Sequence, residues 1–145
     1  MSAMNAAEQL AAIMKPKNKY HAHGFRDRDG DWWDSGAEYQ YWLKLVDRER
    51  HGEITLLERQ WEVEIIPAFV DTWGRRHPAR SIRVDFRYVE TSTGFIFAED
   101  CKGMVTRDAA LRWELAQSLY SERKDMRWRL IDSKTLAPVG TRTVA

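Results

Sequence analysis

The sequence predicts one domain of the α/β or α+β class, with helices layered on a β-sheet. Two observations support this: its 145 residues suffice for one hydrophobic core but hardly for two, and the periodic segments run in the order helix, three strands, helix, strand. We place this domain at residues 20–132, between an N-terminal arm (1–19) and a C-terminal tail (133–145).

The composition is that of a folded protein without an extreme charge. Hydrophobic residues make up 43% of the chain, which indicates a packed core. The 23 basic and 22 acidic residues nearly cancel, so a nucleic-acid-binding surface would have to be a local patch. The single cysteine excludes an intrachain disulfide and favours a reducing compartment. With no signal-peptide pattern or long apolar run, we expect a cytoplasmic protein that does not bind a membrane.

The N-terminal segments predict a helix and then a β-hairpin. Residues 2–14 have helical spacing and fit either a frayed arm or a helix that packs on a partner subunit. Residues 20–34 fit a hairpin with a two-residue Asp29-Gly30 turn. His21 and His23 lack a third ligand at recognisable spacing, and the acidic residues of the turn lack the spacing of a calcium loop.

A helix is predicted from Ser35 to about His51, with Gly52 as its stop. Ser35 and Glu38 have the spacing of a capping box, in which the glutamate bonds back to the amide of the cap residue. Glu38 also begins the apolar stripe of this helix, which continues through Tyr41, Trp42, Leu45 and Val46. Because a residue on that stripe faces the interior, we expect Glu38 to take part in a site, and capping is compatible with this.

The middle of the chain predicts three strands. Residues 61–66 form the first, and residues 72–81 follow as a loop rich in basic side chains. The next two strands, Ile82–Val89 and Phe95–Lys102, are joined by a loop of about five residues. A helix over about 106–121 and a strand over 126–131 complete the domain, and the segment after Asp132 carries little signal. The apolar positions of this last helix include Ala109, Leu111, Leu115, Ala116 and Leu119.

The two central strands carry the acidic residues of a candidate site. Strict alternation places Asp85 on the face opposite Ile82, Val84, Phe86 and Tyr88. On the next strand, Asp100 and Lys102 share one side, whereas Glu99 and Cys101 share the other. We therefore expect Asp85, Asp100 and Lys102 to share a site, although a bulge could put Glu99 in the place of Asp100.

These segments, taken in order, resemble the PD-(D/E)XK nuclease superfamily, and most closely a phage-encoded family of uncharacterised members. That family has a hairpin leading into F-D-S-x-x-E-A, then a glutamine-containing strand, A-D-F and E-D-x-K-G. The resemblance covers about residues 20–131, and Val84 stands where the superfamily motif has proline. The corresponding segments here are Trp33–Glu38, Arg59-Gln60, Val84-Asp85-Phe86 and Glu99–Gly103.

The resemblance implies a restriction-endonuclease-like fold, with a central mixed sheet flanked by helices. It implies a metal-dependent endonuclease that cuts DNA, selects branched forms such as a Holliday junction, and works as a homodimer. The catalytic residues would be Glu38, Asp85, Asp100 and Lys102. Mg²⁺ or Mn²⁺ would be held by Asp85 and Asp100, with Glu38 and the Cys101 carbonyl as further ligands. The basic residues expected to contact DNA are Arg75, Arg76, Arg80, Arg83, Arg87, Arg107, Arg112 and Lys124.

Three alternatives stay open at the level of sequence. Asp85 with Arg83 or Arg87, and Asp100 with Lys102, could be solvated salt bridges on a sheet face, which contribute only about 0–1 kcal/mol each. The same chemistry could act on linear ends, flaps or RNA. The chain could also be a nucleic-acid-binding module without catalysis. Cys101 fits a small buried residue, because the sequence places no histidine to activate it.

Overall fold

The computed structural model describes residues 24–140. The helix predicted over residues 2–14 and the His21/His23 pair lie outside the described residues. The chain divides into two units, Met1–Gly36 and Ala37–Ala145. No helix in the described part of the chain is both long and apolar enough to cross a membrane.

The first unit contains the predicted hairpin, with a different turn. Strands β1 (Phe25–Arg26) and β2 (Trp32–Trp33) are antiparallel. The turn is wider than the predicted two-residue turn, because the Asp27 carboxylate organises it. Asp27 Oδ1 accepts hydrogen bonds from the N–H groups of Asp29 at 2.9 Å and Asp31 at 3.0 Å. Such bonds from an aspartate to the backbone two or more residues later hold a turn without a metal ion.

The second unit contains the helices α1 (Gly36–Arg50) and α2 (Arg107–Leu119). It is built on a four-stranded mixed sheet in the order β3 (Ile54–Ile66), β6 (Arg80–Glu90), β7 (Ile96–Lys102) and β8 (Met126–Asp132). The β3/β6 and β6/β7 pairs are antiparallel, whereas β7 and β8 are parallel and joined through α2. The predicted α-β-β-β-α-β order and the central mixed sheet are thus confirmed. Two short strands, β4 (Phe69–Val70) and β5 (Arg76–His77), lie along the chain between β3 and β6.

The two helices cover opposite faces of the sheet. Phe86 and Glu99 are paired across β6 and β7, so they point to one face, where both contact Tyr41 of α1. The neighbouring Ala98 points to the other face and belongs to the core that contains Ala116 of α2. A protein layer thus lies on each side of the central strands, which accounts for their burial.

The packing of α2 differs in part from the prediction. Ala116 is fully buried, and Trp113 and Leu115 pack against the same core. Leu111 and Leu119, predicted as apolar core positions, are 66% and 53% exposed. Only the side of α2 that carries Ala116 reaches the core, because a helix packed on a sheet needs only a narrow apolar stripe. Leu111 and Leu119 lie outside that stripe.

The alternation predicted for β6 fails at Asp85. Val84 belongs to the core against α2, whereas Phe86, two residues later, contacts Tyr41 and Trp42 of α1. The adjacent strand β3 changes face at the matching place, since Arg59 lies over Trp42 and Trp61 packs against Trp128. Gln60, between them, has a left-handed backbone with φ 55°. Because of this irregularity, the side chains before and after Asp85 no longer follow one alternating pattern, so the face of Asp85 cannot be read from alternation alone.

Two structured segments were not predicted. Residues 69–77, which overlap the predicted loop of residues 72–81, form a small antiparallel hairpin, β4–β5, inserted between β3 and β6. Residues after β8 fold back along it: the Val139 N–H donates to the Leu130 carbonyl at 2.8 Å, and the Asp132 N–H donates to the Ala137 carbonyl at 2.9 Å. The segment from 133 to 139 is therefore part of the fold, where the sequence predicted only a tail.

Candidate active site at the divergence of β6 and β7

The candidate site lies where the ladder between β6 and β7 stops. Regular pairing runs from Val89↔Ile96 to Phe86↔Glu99. Beyond that point the bonds between the strands come from side chains. Asp100 Oδ1 accepts the Asp85 N–H at 2.7 Å, and Asp85 Oδ2 accepts the Cys101 N–H at 2.9 Å. The two predicted aspartates are thus brought together, each bonded to the strand of the other.

The Asp85 carboxyl is held in an environment that opposes its ionisation. Its pKa is raised well above the usual value, first by burial and then by the negative charges of Asp100 and Glu38. The Cys101 N–H and the Lys102 ammonium act in the opposite direction but do not compensate. Close carboxylates behave in this way when no cation lies between them.

Lys102 is the positive group of the site. Its Nζ lies 3.1 Å from Asp100 Oδ2, and the Asp100 side chain is 8% exposed. Burial alone would lower the pKa of the lysine, but the charges of Asp100 and Asp85 raise it overall. The ammonium therefore stays charged. One alternative from the sequence, an Asp100–Lys102 pair, does occur, but on a buried carboxylate and not on a solvated face.

Glu38 adds a third carboxyl group whose charge acts on Asp85. It is 4% exposed in the first turn of α1, as its place on the apolar stripe predicted. Its Oε1 accepts a hydrogen bond from Gln60 Nε2 at 3.2 Å and lies 4.0 Å from the Arg59 guanidinium. Its charge is nevertheless felt at Asp85, Cys101 and Lys102. The predicted capping box with Ser35 stays a prediction.

Gln60 is a site residue that our candidate set omitted. Its left-handed backbone is uncommon for a residue with a side chain, and its amide contacts Glu38. Such strain costs on the order of 1 kcal/mol and persists where the surroundings impose it. A glutamine in a strand gives no sign of this conformation, and the only signal was its position in the Arg59-Gln60 segment.

Two substitutions of Gln60 separate the backbone from the side chain. Gln60→Gly relieves the left-handed strain, so we expect it to be more stable than Gln60→Ala by about 1 kcal/mol. Both remove the amide that holds Glu38, so we expect a similar loss of any activity that depends on Glu38. Denaturant unfolding of both variants and of the wild type checks the order of stabilities. Equal stability of the two variants would contradict the strain argument.

Glu99 belongs to a separate network on the face of the sheet that α1 covers, whereas Asp100 faces the cavity beside α2. It is fully buried, accepts a 2.6 Å hydrogen bond from the Tyr41 hydroxyl and forms an ion pair with Arg129. Arg129 also donates to the Tyr88 hydroxyl at 3.1 Å. The geometry therefore favours Asp100 over Glu99 as the partner of Asp85, as the period of the strand predicted.

Cys101 contributes its backbone and not a reactive thiol. The side chain is partly buried, and burial followed by the Asp85 charge raises the pKa of the thiol. A neutral thiol is a poor nucleophile and a poor metal ligand. The hydrogen bond from the Cys101 N–H to Asp85 holds the main chain of Cys101 beside the site. The Cys101 carbonyl is therefore the group of this residue that could bind a cation.

A cavity of about 280 Å³ opens beside Asp100 and Lys102. Arg83 of β6, Arg112 of α2 and the ring of Trp113 contribute to its wall. Neither arginine forms an ion pair with a described residue. Two unneutralised guanidinium groups next to the carboxylates make this cavity suited to an anion.

The other predicted nucleic-acid contacts are spread over the surface. Arg75, Arg76 and Arg80 lie in or beside the β4–β5 hairpin. Arg87 pairs with Glu58 at 3.0 Å and covers the Trp61 ring, so it is occupied within the sheet. The remaining two, Arg107 and Lys124, are exposed at the start of α2 and after its end. The structure thus brings two of the eight, Arg83 and Arg112, to the candidate site.

The donors at the site are oxygen atoms, which suit a hard divalent cation. Within residues 24–140, no group of three or more His, Cys, Asp or Glu side chains is arranged to hold a metal ion. The Asp85–Asp100 pair and the Cys101 carbonyl fit Mg²⁺ with fewer protein ligands, because Mg²⁺ usually keeps several waters and binds through one or two carboxylates. Glu38 is held beside this pair by the hydrogen bond from Gln60.

Comparison with known families identifies the chain. A family model described as "Protein of unknown function (DUF1064)" matches residues 17–135, more than half of the 145 residues. The chain belongs to the DUF1064 family. The match spans α1, the central sheet and α2, so the candidate site lies within the DUF1064 region. No curated protein and no solved structure matches the chain.

Proposed function

We propose that this DUF1064 protein is a metal-dependent DNA endonuclease of the PD-(D/E)XK type, with a restriction-endonuclease-like fold. The observation that carries the proposal is the Asp85–Asp100 carboxylate pair at the divergence of β6 and β7, with Lys102 bound to Asp100. Its spacing along the chain is that of the superfamily motif, with Val84-Asp85 followed by Asp100-Cys101-Lys102. The α-β-β-β-α-β order of the elements is compatible with that fold.

The electrostatics of the pair support a site that receives a cation. The raised pKa of Asp85 reflects first the burial of its carboxyl group and then the unfavourable approach of the Asp100 and Glu38 charges. A purely structural salt bridge would lower the pKa of an aspartate, because an opposite charge favours ionisation. Perturbed carboxyl groups of this kind cluster at functional sites. The arrangement is thus poorly explained by stability and well explained by chemistry.

The residues present have roles that suit phosphodiester hydrolysis. A bound Mg²⁺ or Mn²⁺ would supply acidification of a water molecule and neutralisation of charge on the phosphoryl oxygens. Asp85, Asp100 and the Cys101 carbonyl would hold it. The Lys102 ammonium would orient the attacking water or stabilise charge on the phosphoryl group. Glu38, fixed by Gln60, would accept a hydrogen bond from a water on the side of α1.

The cavity beside the site supports a phosphate-rich substrate. Arg83 and Arg112 would grip a backbone phosphate next to the one being cut, because guanidinium groups match phosphate geometry. Such contacts position the backbone and carry no sequence information. A compact chain that reads no sequence would select DNA by shape, so we propose branched DNA, such as a Holliday junction, as substrate. Symmetric cuts across a four-way junction would require a twofold dimer.

A cleavage panel tests the proposed function. Linear duplex, flapped DNA, four-way DNA and RNA are incubated at equal concentration with Mg²⁺ or with EDTA. We expect cutting that requires Mg²⁺ and is fastest on four-way DNA. Lys102→Met should slow it by about a hundredfold or more. The matched control, Lys44→Met, removes an exposed lysine of α1 that lies outside the candidate site, and should leave the rate unchanged.

The outcomes of the panel separate the alternatives. Faster cutting of flaps, ends or RNA would keep the chemistry and change the substrate. Binding of DNA without any Mg²⁺-dependent cutting, together with an unchanged Lys102→Met protein, would indicate a module without catalysis. A Mg²⁺-induced rise in melting temperature that is lost when the aspartates are replaced, but kept in Lys102→Met, would support metal binding by itself.

A further inference from the structure

The β4–β5 hairpin presents a tryptophan to solvent. Trp73 lies in the turn between the two strands and is 83% exposed, the largest fraction among the described large hydrophobic residues. Phe69 and Val70 at the base of the hairpin are 47% and 62% exposed. An exposed apolar patch on an otherwise packed domain marks an interaction surface more often than a packing defect.

The turn that carries Trp73 is held rigidly. The Asp71 Oδ1 atom accepts the N–H groups of Trp73 and Arg75, both at 2.9 Å. Its Oδ2 atom contacts His77 Nε2 at 2.8 Å and Arg75 Nε at 3.2 Å. Gly74 takes the left-handed conformation that closes the turn, with φ 80°. One carboxylate thus fixes both ends of the loop, so little conformational entropy is lost when Trp73 binds a partner.

The charge around Trp73 favours a polyanion. Residues 67–80 contain Arg75, Arg76 and Arg80 but a single acidic residue, Asp71, which is occupied by the turn. A second copy of this hairpin would bring like charges together, which disfavours self-association through this surface. An aromatic ring flanked by arginines is the arrangement by which proteins stack on nucleobases while holding the backbone.

The position of the hairpin relates it to the candidate active site. Arg80, three residues after the hairpin, begins β6, and Asp85 follows five residues later, about 17 Å along the strand at about 3.3 Å per residue. The hairpin therefore leads directly into the strand that carries Asp85.

We propose that Trp73 stacks on an exposed nucleobase of DNA at a branch point. The inference rests on the proposed function, since it names the DNA feature that the same protein reads. Bases inside a continuous duplex are covered on both faces and offer no ring to Trp73. The hairpin thereby gives a preference for branched over continuous DNA without reading a sequence.

Binding measurements without cleavage test this inference. The full-length protein is titrated, in EDTA, into a four-way DNA and into a continuous duplex of equal length. A fluorescent 2-aminopurine lies at the branch of the four-way DNA and at the matching position of the duplex. We expect Trp73→Leu to weaken four-way binding roughly 5- to 150-fold, the range for one stacked base, and duplex binding less than about twofold. Trp73→Phe keeps a ring and should retain most of the affinity. Leu111→Ala, an exposed apolar control on α2, should bind as the wild type.

Each result has a defined meaning. Retained four-way binding by Trp73→Leu would overturn the inference, since leucine cannot stack. A change of oligomeric state in Trp73→Leu, measured by sedimentation, with DNA binding intact would assign the hairpin to self-association and also overturn it. If the wild type binds four-way DNA through Trp73 but cuts nothing, the proposed function fails and the hairpin inference stands. If the wild type cuts and the variants bind normally, only the hairpin inference fails.

Discussion

Asp85→Asn is expected to abolish metal-dependent cleavage and to stabilise the metal-free protein. The asparagine keeps the shape and one oxygen acceptor for the Cys101 N–H, but it removes the charge that a cation would bind. We expect a fall in rate of about 10³-fold or more, since several kcal/mol of charge stabilisation are lost. Cleavage assays with Mg²⁺ measure this loss. Cutting at the wild-type rate by pure Asp85→Asn would remove Asp85 from the site.

The accompanying gain in stability follows from the electrostatics of Asp85. Its pKa is raised in the folded state by burial and by the charges of Asp100 and Glu38, so the folded protein holds this proton more tightly than the unfolded chain. Stability of the metal-free wild type should therefore fall as pH rises above the ordinary value of 3.8 towards the folded pKa. Asp85→Asn lacks this decline, so the free energy of unfolding of the variant should exceed that of the wild type by an amount that grows from about pH 4 upwards.

Denaturant unfolding in EDTA between pH 4 and pH 8 measures that advantage. An advantage of about 1 kcal/mol would raise the melting temperature of a domain of this size by roughly 3–5 °C. Asp108→Asn, an exposed aspartate in the first turn of α2, is the matched control and should show no such gain. A loss of stability in Asp85→Asn at neutral pH would contradict the repulsion between the carboxyl groups.

Arg129→Met is expected to destabilise the fold by about 3–5 kcal/mol, because it leaves the buried Glu99 carboxylate without its ion-pair partner. The loss should be largely recovered in the double variant Glu99→Gln/Arg129→Met. There, a neutral amide replaces the charge and can still accept the hydrogen bond of the Tyr41 hydroxyl. Denaturant unfolding of the two single variants and the double variant gives the coupling energy directly.

The matched control for Arg129 is Arg123. Arg123 also forms an ion pair, with Asp125 at 3.0 Å, but the two side chains are 53% and 48% exposed. Arg123→Met should therefore cost less than about 1 kcal/mol. Equal losses in Arg123→Met and Arg129→Met would show that burial of Glu99 does not matter, and would contradict the network described for that face.

The elements of the central sheet could be predicted because their signals are local. The loop between β6 and β7 and the apolar stripe of α1 are each contained in a short segment. The period of two also selected Asp100 over Glu99, since their positions on β7 do not depend on other strands. These predictions needed no knowledge of which segments are neighbours.

The remaining features depend on contacts between distant segments. Arg129 lies directly beside Glu99 only because β7 and β8 are parallel in that register, which no local pattern reveals. The change of face at Gln60 and Asp85 arises where a left-handed residue interrupts β3. The β4–β5 hairpin was missed because the side chain of Asp71 holds it together, and no alternation of apolar residues marks it.

The exchange of bonds between Asp85 and Asp100 means that the same two carboxyl groups link the strands and form the candidate site. Each accepts a hydrogen bond from a backbone amide of the opposite strand, in the place where a main-chain carbonyl would otherwise accept it. Loss of either carboxyl group therefore removes a link between β6 and β7 as well as a charge from the site. The candidate chemistry and the integrity of the sheet at this point are thus coupled.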